Sequence, residues 1–207
     1  MTHLRIFDID VARANPASFR RNLSAPPTRT GFGASYFSSL RDALFRYHRS
    51  NGDLGDASAY LERRLGRFKN THLRERFMDH LFWYVEEYEA LGWPTFRTRQ
   101  RLIIPLPRAK SNASTCSGEI SRLDVIPSSG YAAWFFRRQA DPDWAGNLYP
   151  PLVQDSVARN VLHTRPEFVT VGAYLFDARQ VVSKTYTDGE LRAAKAKLGT
   201  LVSSLGL

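Results

Sequence analysis

The residues able to do chemistry are few, and the clearest group lies in GEISRLD (Gly118–Asp124). Side chains two apart on a strand share a face, so Glu119 and Ser121 are expected on one side of a sheet and Asp124, three positions beyond Ser121, on the other. Glu87 falls in a helical pattern from which a carboxylate could lean onto that sheet. Glu87, Glu119 and Ser121 would offer a cation two carboxylates and a hydroxyl, a weak set for Mg²⁺, which completes its shell with substrate phosphates. Glu119 is the metal ligand if there is one, and Asp124 reads as the partner of a nearby arginine or as a turn residue. Cys116 has no histidine near it in sequence and no second thiol with which to form a disulfide or a zinc site. The five histidines lack metal-ligand spacing, and HExxH, GxSxG, Walker A and dinucleotide fingerprints are missing. Trp83, Trp93 and Trp134 read as packing residues, and Trp144 in DPDWAGN is expected to be exposed.

The elements that must position these groups can be read from hydrophobic period. Residues 1–34, rich in Pro, Gly and Arg, predict an irregular arm with at most one short helix. GFGAS (Gly31–Ser35) opens a helix through Phe37, Leu40, Leu44, Phe45 and Tyr47 that Asn51 and Gly52 end; without a preceding strand or a lysine, its glycines read as a helix start, not a phosphate loop. Ala57–Leu65 predicts a short helix. Leu73, Phe77, Leu81, Tyr84, Tyr88 and Leu91 fall on one stripe of about 100° and predict a long helix with a buried face. Three strands follow: Arg97–Pro107, Ser117–Pro127 and Gly130–Phe136, the first two joined by a polar, flexible loop, Arg108–Ser117. Leu148–Leu162 predicts a helix, Phe168–Phe176 a buried strand and Asp188–Leu205 a terminal amphipathic helix. The fold class expected is α/β (α+β): a mixed sheet in α-β-β-β-α-β order, with extra N-terminal helices and a C-terminal helix. Residues 1–72 form a basic arm and helices packed on a core of 73–207, one structural unit overall.

At 207 residues, 43% hydrophobic and 24% charged, the chain has the composition of one globular domain and not of a disordered one. No run approaches the roughly 20 apolar residues of a membrane span, and the N-terminus has no apolar signal core, so a cytoplasmic location is expected. The formal net charge is +9, with 19 basic and 11 acidic residues in 1–110 against 10 and 9 in 111–207. Of the 29 basic residues, 24 are arginine, whose planar fork grips phosphate at two points and stacks on bases. Nucleic acid is the partner this implies; a solvated, solubilising surface is the plain alternative.

The C-terminal half resembles the RecB-like branch of the PD-(D/E)XK nuclease superfamily. Gly118, Ile120, Arg122, Leu123 and Asp124 resemble its GxIDRLD strand, GYAAWFFRR the strand that ordinarily ends in a DYK-like motif, LYPPLVQDSVARNVL with Gln154 its QLxxYxxA helix, and VTVGAYLF the strand closing the sheet. The resemblance covers about residues 73–180. It implies a metal-dependent nuclease whose acids on the two strands hold Mg²⁺ while a lysine two positions on stabilises charge. At those positions this chain has Ser121, Phe135 and Arg137, and Tyr36 stands where many members carry a histidine.

The leading reading is therefore a catalytically degenerate, nuclease-like pseudoenzyme without cofactor that binds nucleic acid, DNA rather than RNA, or serves with a protein partner in a DNA-processing or defence complex. Its degenerate site would be Glu87, Glu119, Ser121 and Arg137, and phosphates would meet Arg63, Arg64, Arg67, Arg97, Arg99, Arg101, Arg137 and Arg138. The alternatives are an active Mg²⁺ or Mn²⁺ nuclease with relocated ligands, and a cleft turned small-molecule pocket or protein interface lined by Phe135, Trp134 and Tyr84.

Overall fold

A computed structural model describes residues 3–24, 35–107, 115–139 and 141–206. The element order is β1 (His3–Arg5), α1 (Asp8–Ala14), α2 (Pro16–Ser24), α3 (Tyr36–Arg49), α4 (Leu54–Leu65), α5 (Thr71–Leu91), β2 (Thr95–Pro105), β3 (Thr115–Ile126), β4 (Gly130–Arg137), α6 (Tyr149–Ser156), β5 (Val169–Leu175), β6 (Gln180–Lys184) and α7 (Asp188–Leu205). The expected α-β-β-β-α-β succession is present as α5-β2-β3-β4-α6-β5. Local chemistry fixes the helix ends: the side chains of Ser35, Asp53 and Asn70 accept from the backbone N–H three residues on, and Thr187 with Glu190 closes a reciprocal cap on α7. Asn51 and Gly52 take φ of 56° and 87° after α3, and Gly92 takes φ of 63° after α5, as their positions predict.

The sheet is mixed and organised around β3. Strand β2 runs antiparallel along one edge of β3 from Thr115 to Asp124. The other edge is shared: β1 pairs parallel with Thr115–Ser117, and β4 pairs antiparallel with Arg122–Ile126. Between these two partners β3 has a fork. Beyond β4, β5 is parallel and β6 antiparallel to its neighbour.

Each face of the sheet has its own helical layer. Leu102, Ile104, Ile120, Leu123, Ala133, Phe135 and alternate residues of β5 pack with α1, α6 and α7. Ala132, Trp134, Phe136 and Tyr174 pack with α3, α4 and α5. Close approach explains two glycines. A Cβ on Gly118 would lie 2.6 Å from Ile6, which follows β1, and one on Gly172 would lie 2.3 Å from the Trp134 ring.

Several expectations need correction. The N-terminal arm carries β1, α1 and α2, because Leu4, Ile6, Ile9 and Ala12 are fully buried against the sheet although their run is too short to display a period. Strand β6 was not expected. The stretch expected as one helix, Leu148–Leu162, is α6 followed by a π-helical segment, Val157–Leu162. Gly31–Ala34 of the GFGAS turn and residues 108–114 of the polar loop lie outside the described residues; Thr115–Ser117 belong to β3. Cys116 is buried in that strand, where desolvation pushes its thiol up to about 12, so it is no loop nucleophile. Trp144 is also buried, its indole N–H donating to the Tyr149 hydroxyl at 2.7 Å. No helix among the described residues is long and apolar enough to cross a membrane.

Candidate functional site

Three of the singled-out residues meet at the fork in the sheet. Ser121 and Phe135 lie opposite one another, next to the paired residues Arg122 and Trp134. The Ser121 hydroxyl accepts from the Phe136 N–H at 3.0 Å, so it does in the sheet what a backbone carbonyl would otherwise do. Phe135, Phe7 and Tyr149 form a triangle of edge-on rings, with Phe135 centroid distances of 5.4 and 5.6 Å and 5.1 Å between the other two, and the Arg137 guanidinium lies 4.2 Å above the Phe7 ring. The segment after β1 thus fills the space in front of the fork with an aromatic plug.

Glu119 and Glu87 are not part of this group. The Glu119 carboxylate points to the α3 layer, where Arg41 donates to it at 2.8 Å and Arg99 at 3.4 Å. The expectation that Glu119 and Ser121 share a face therefore fails. Arg99, opposite Ser121, takes a left-handed φ of 56°, and Ser121 spends its side chain on Phe136, so alternation is interrupted between Ile120 and Arg122. In consequence Asp124, expected on the far side from Glu119, also faces the helical layer of α3 to α5. Glu87 is half-buried on α5, its charge felt by Tyr174. Phe135 lies on the other face of the sheet from Trp134 and Tyr84, so these three do not line one pocket.

The residue sequence reasoning passed over is Arg122, which has no solvent exposure. Its guanidinium holds Asp124 at 2.8 Å, donates to Tyr174 at 3.1 Å and to Tyr84, and sits over the rings of Tyr84, Tyr88, Trp134 and Tyr174 at 4.5–5.6 Å. The ion pair bears out the reading of Asp124 as an arginine's partner, and Asp124 also accepts from Thr95 at 3.1 Å. His48 closes the network: its Nε2 is 2.5 Å from the Tyr84 hydroxyl, and the Thr95 hydroxyl is 3.4 Å from its Nδ1. Burial, with the Arg122 charge beside it, pushes His48 down to about 3, so the ring is neutral. Burial raises the Asp124 carboxyl and opposes the Arg122 charge, but Tyr84, Tyr174 and Asp124 outweigh that on the guanidinium and keep it protonated. The adjacency of an arginine and an aspartate two apart on a buried strand was the signal available in the sequence.

The expected phosphate contacts are spread over several elements. Arg97, Arg99 and Arg101 are exposed on β2, which pairs with a strand on one side only among the described residues. Phe96 beside them is 52% exposed and lies under Arg97. Arg63 and Arg67 are exposed and Arg64 half-buried at the end of α4. Arg138, after β4, pairs with Asp177 at 3.5 Å. Arg41 extends the β2 group from α3, stacking with Arg99 on Phe45. Tyr36 stacks on Phe68 at 4.0 Å.

The donors at the fork do not fit a hard divalent cation: one is a hydroxyl engaged with a backbone amide, one a phenyl ring and one a guanidinium. Glu119, the nearest acid by sequence, is held by two arginines. Among the described residues no three His, Cys, Asp or Glu side chains gather as metal ligands would. Compared with known proteins, the chain matches no family model and no curated relative.

Proposed function

We propose that the chain binds nucleic acid through a PD-(D/E)XK-like core whose catalytic positions have been replaced. The observation that carries this reading is the open edge of β2. On the α3 side of that edge Arg99 and Arg101, joined by Arg41, set three guanidiniums against one carboxylate, Glu119, while Arg97, opposite Leu123 on the other face, lies over the exposed Phe96 ring. Such a strip attracts phosphate through charge and offers an aromatic face to a base, and its affinity is sequence-tolerant and falls steeply with salt. The element order α5-β2-β3-β4-α6-β5 and the meeting of residues 121, 135 and 137 at one fork support a nuclease ancestry. The chemistry of those three side chains supports loss of the metal reaction, and DNA is favoured over RNA through the resemblance alone.

Gel shifts of single- and double-stranded DNA in rising salt test the reading. Binding at about 50 mM salt that weakens about a thousandfold by 200 mM is expected if six or more phosphates are contacted. No binding at the lower concentration removes the nucleic-acid partner, and cleavage in Mg²⁺ or Mn²⁺ removes the loss of catalysis. A place in a DNA-processing or defence complex would use the same arginine edge beside a protein partner.

A further inference from the structure

Helix α5 carries a second feature that the β2 edge does not use. Asp79, Phe82, Trp83 and Glu86 recur at i, i+3, i+4 and i+7, and so form one stripe. Together with Arg179, which follows β5 at a left-handed φ of 48°, they line a cavity of about 280 Å³. Phe82 is 41% exposed there, so one face of its ring is open to a ligand. Trp83 beside it is buried and held edge-on by Tyr174 and Phe176 at 6.0 and 5.5 Å. Arg179 reaches Asp79 at 3.7 Å.

Next to the cavity, the ends of the parallel strands β4 and β5 come together, with the Asp177 N–H donating to the Arg138 carbonyl. Arg76 and Arg138 hold the Asp177 carboxylate at 3.1 and 3.5 Å. His80 lies 3.7 Å from Asp177, and both its ring nitrogens are buried without a hydrogen-bond partner among the described residues. The place outside the carboxyl ends of parallel strands is where α/β sheets commonly take ligands.

The charges in this patch alternate. Three carboxylates, Asp79, Glu86 and Asp177, face three guanidiniums, Arg76, Arg138 and Arg179. A run of phosphates gains nothing from such a mosaic. A flat ligand with donors on one edge and acceptors on the next gains from it, because carboxylates only accept and guanidiniums only donate. Guanine is the base that fits: N1–H and the N2 amino group donate, O6 and N7 accept, and its ring can stack on an exposed phenyl face. We infer that the patch is a subsite for an unpaired guanine, stacked on Phe82, donating to Asp79 and Glu86 and accepting from Arg179, with its own phosphate toward Arg76 and Arg138. This rests on the nucleic-acid reading above and adds to it a base preference.

The test is fluorescence anisotropy with labelled oligothymidylates of about 15 nucleotides, a length matched to a single-domain site, carrying a central guanine, a central adenine or neither. Stacking is open to every base, whereas hydrogen bonds to the edge of the right one discriminate by roughly tenfold or more, so the wild type is expected to bind the guanine oligonucleotide about tenfold more tightly than the other two. Glu86→Gln and Asp79→Asn, which lose carboxylates that accept from the base, are expected to narrow or erase that preference, whereas Phe82→Ala, at an exposed position, is expected to weaken binding of all three because every base can stack there. Equal binding of all three by the wild type, or an intact preference in both Glu86→Gln and Asp79→Asn, overturns the inference while leaving the general reading in place. If the wild type binds none of them, the general reading falls, and calorimetry with guanosine 5′-monophosphate decides the subsite alone. A saturable signal lost in Phe82→Ala upholds it; no signal overturns it.

Discussion

Arg122 and Asp124, two positions apart on β3, form an ion pair in which neither side chain touches solvent. The pair is held among tyrosine hydroxyls and aromatic faces, which satisfy the guanidinium's remaining donors. Removing one partner leaves the other charge buried and uncompensated, at a cost of about 3–5 kcal/mol. Arg122→Met and Asp124→Leu are each expected to lower stability by that amount in urea denaturation. The double variant should lose much less than the sum. Single variants within about 1 kcal/mol of the wild type would mean that neither charge is left uncompensated when its partner is removed.

His48 gives the network a pH dependence whose sign is fixed by its depressed pKa. The folded state keeps the ring neutral down to about 3, whereas the unfolded chain protonates it near its ordinary value of about 6.5. Its contribution is complete above the unfolded pKa and is lost as pH falls toward 3, with a slope approaching about 1.4 kcal/mol per pH unit. His80 is shifted in the same direction, chiefly by burial and the neighbouring Arg76, and Asp155 is a carboxyl held low by Arg159 and Lys195 against its burial, so the whole protein loses stability in acid for several reasons. The difference between wild type and His48→Gln isolates the one residue. It should shrink between pH 6.5 and 4 in thermal melts, and a constant difference would show that His48 is charged in the fold.

The arginine edge predicts a graded loss of binding. Each of Arg41→Ala, Arg97→Ala, Arg99→Ala and Arg101→Ala should lower nucleic-acid affinity and reduce the salt slope by about 0.7–0.9. Glu119→Gln should do the reverse, since its carboxylate occupies two of these guanidiniums. Unchanged slopes in all five would move the interface elsewhere on the molecule.

Phe7 is predicted to stabilise the fork by contact and not by secondary structure. Phe7→Ala removes the ring that packs edge-on against Phe135 and Tyr149 and lies beneath the Arg137 guanidinium. For a half-buried ring the expected cost is about 2 kcal/mol, below the range for a fully buried one. Chemical denaturation measures it, and a neutral substitution would show that the plug closes nothing.

The core was legible where period and punctuation agreed. The stripe from Leu73 to Leu91, the stop at Gly92 and the terminal helix Asp188–Leu205 were all readable because one face of each is apolar at helical spacing. Strands β2 to β4 were readable from alternation. What alternation hid was its own interruption at Ser121: a rule of period two assigns Glu119 and Ser121 to one face, and only the hydrogen bond to Phe136 reveals the slip. Strands β1 and β6 were missed because three and five residues carry too little pattern. The aromatic cage around Arg122 draws on α5, β3, β4 and β5, and no local window contains it. Trp144 was misjudged because its neighbours are polar while its own indole has a private partner in Tyr149.

The pairing of β1 with Thr115–Ser117 joins segments more than a hundred positions apart. During synthesis the first three-residue strand leaves the ribosome long before the strand that receives it exists, so it cannot dock until more than half the polypeptide has emerged. Strand β3 thus gathers its neighbours out of order: β1 has waited for it, β2 has just preceded it, and β4 to β6 are added only afterwards.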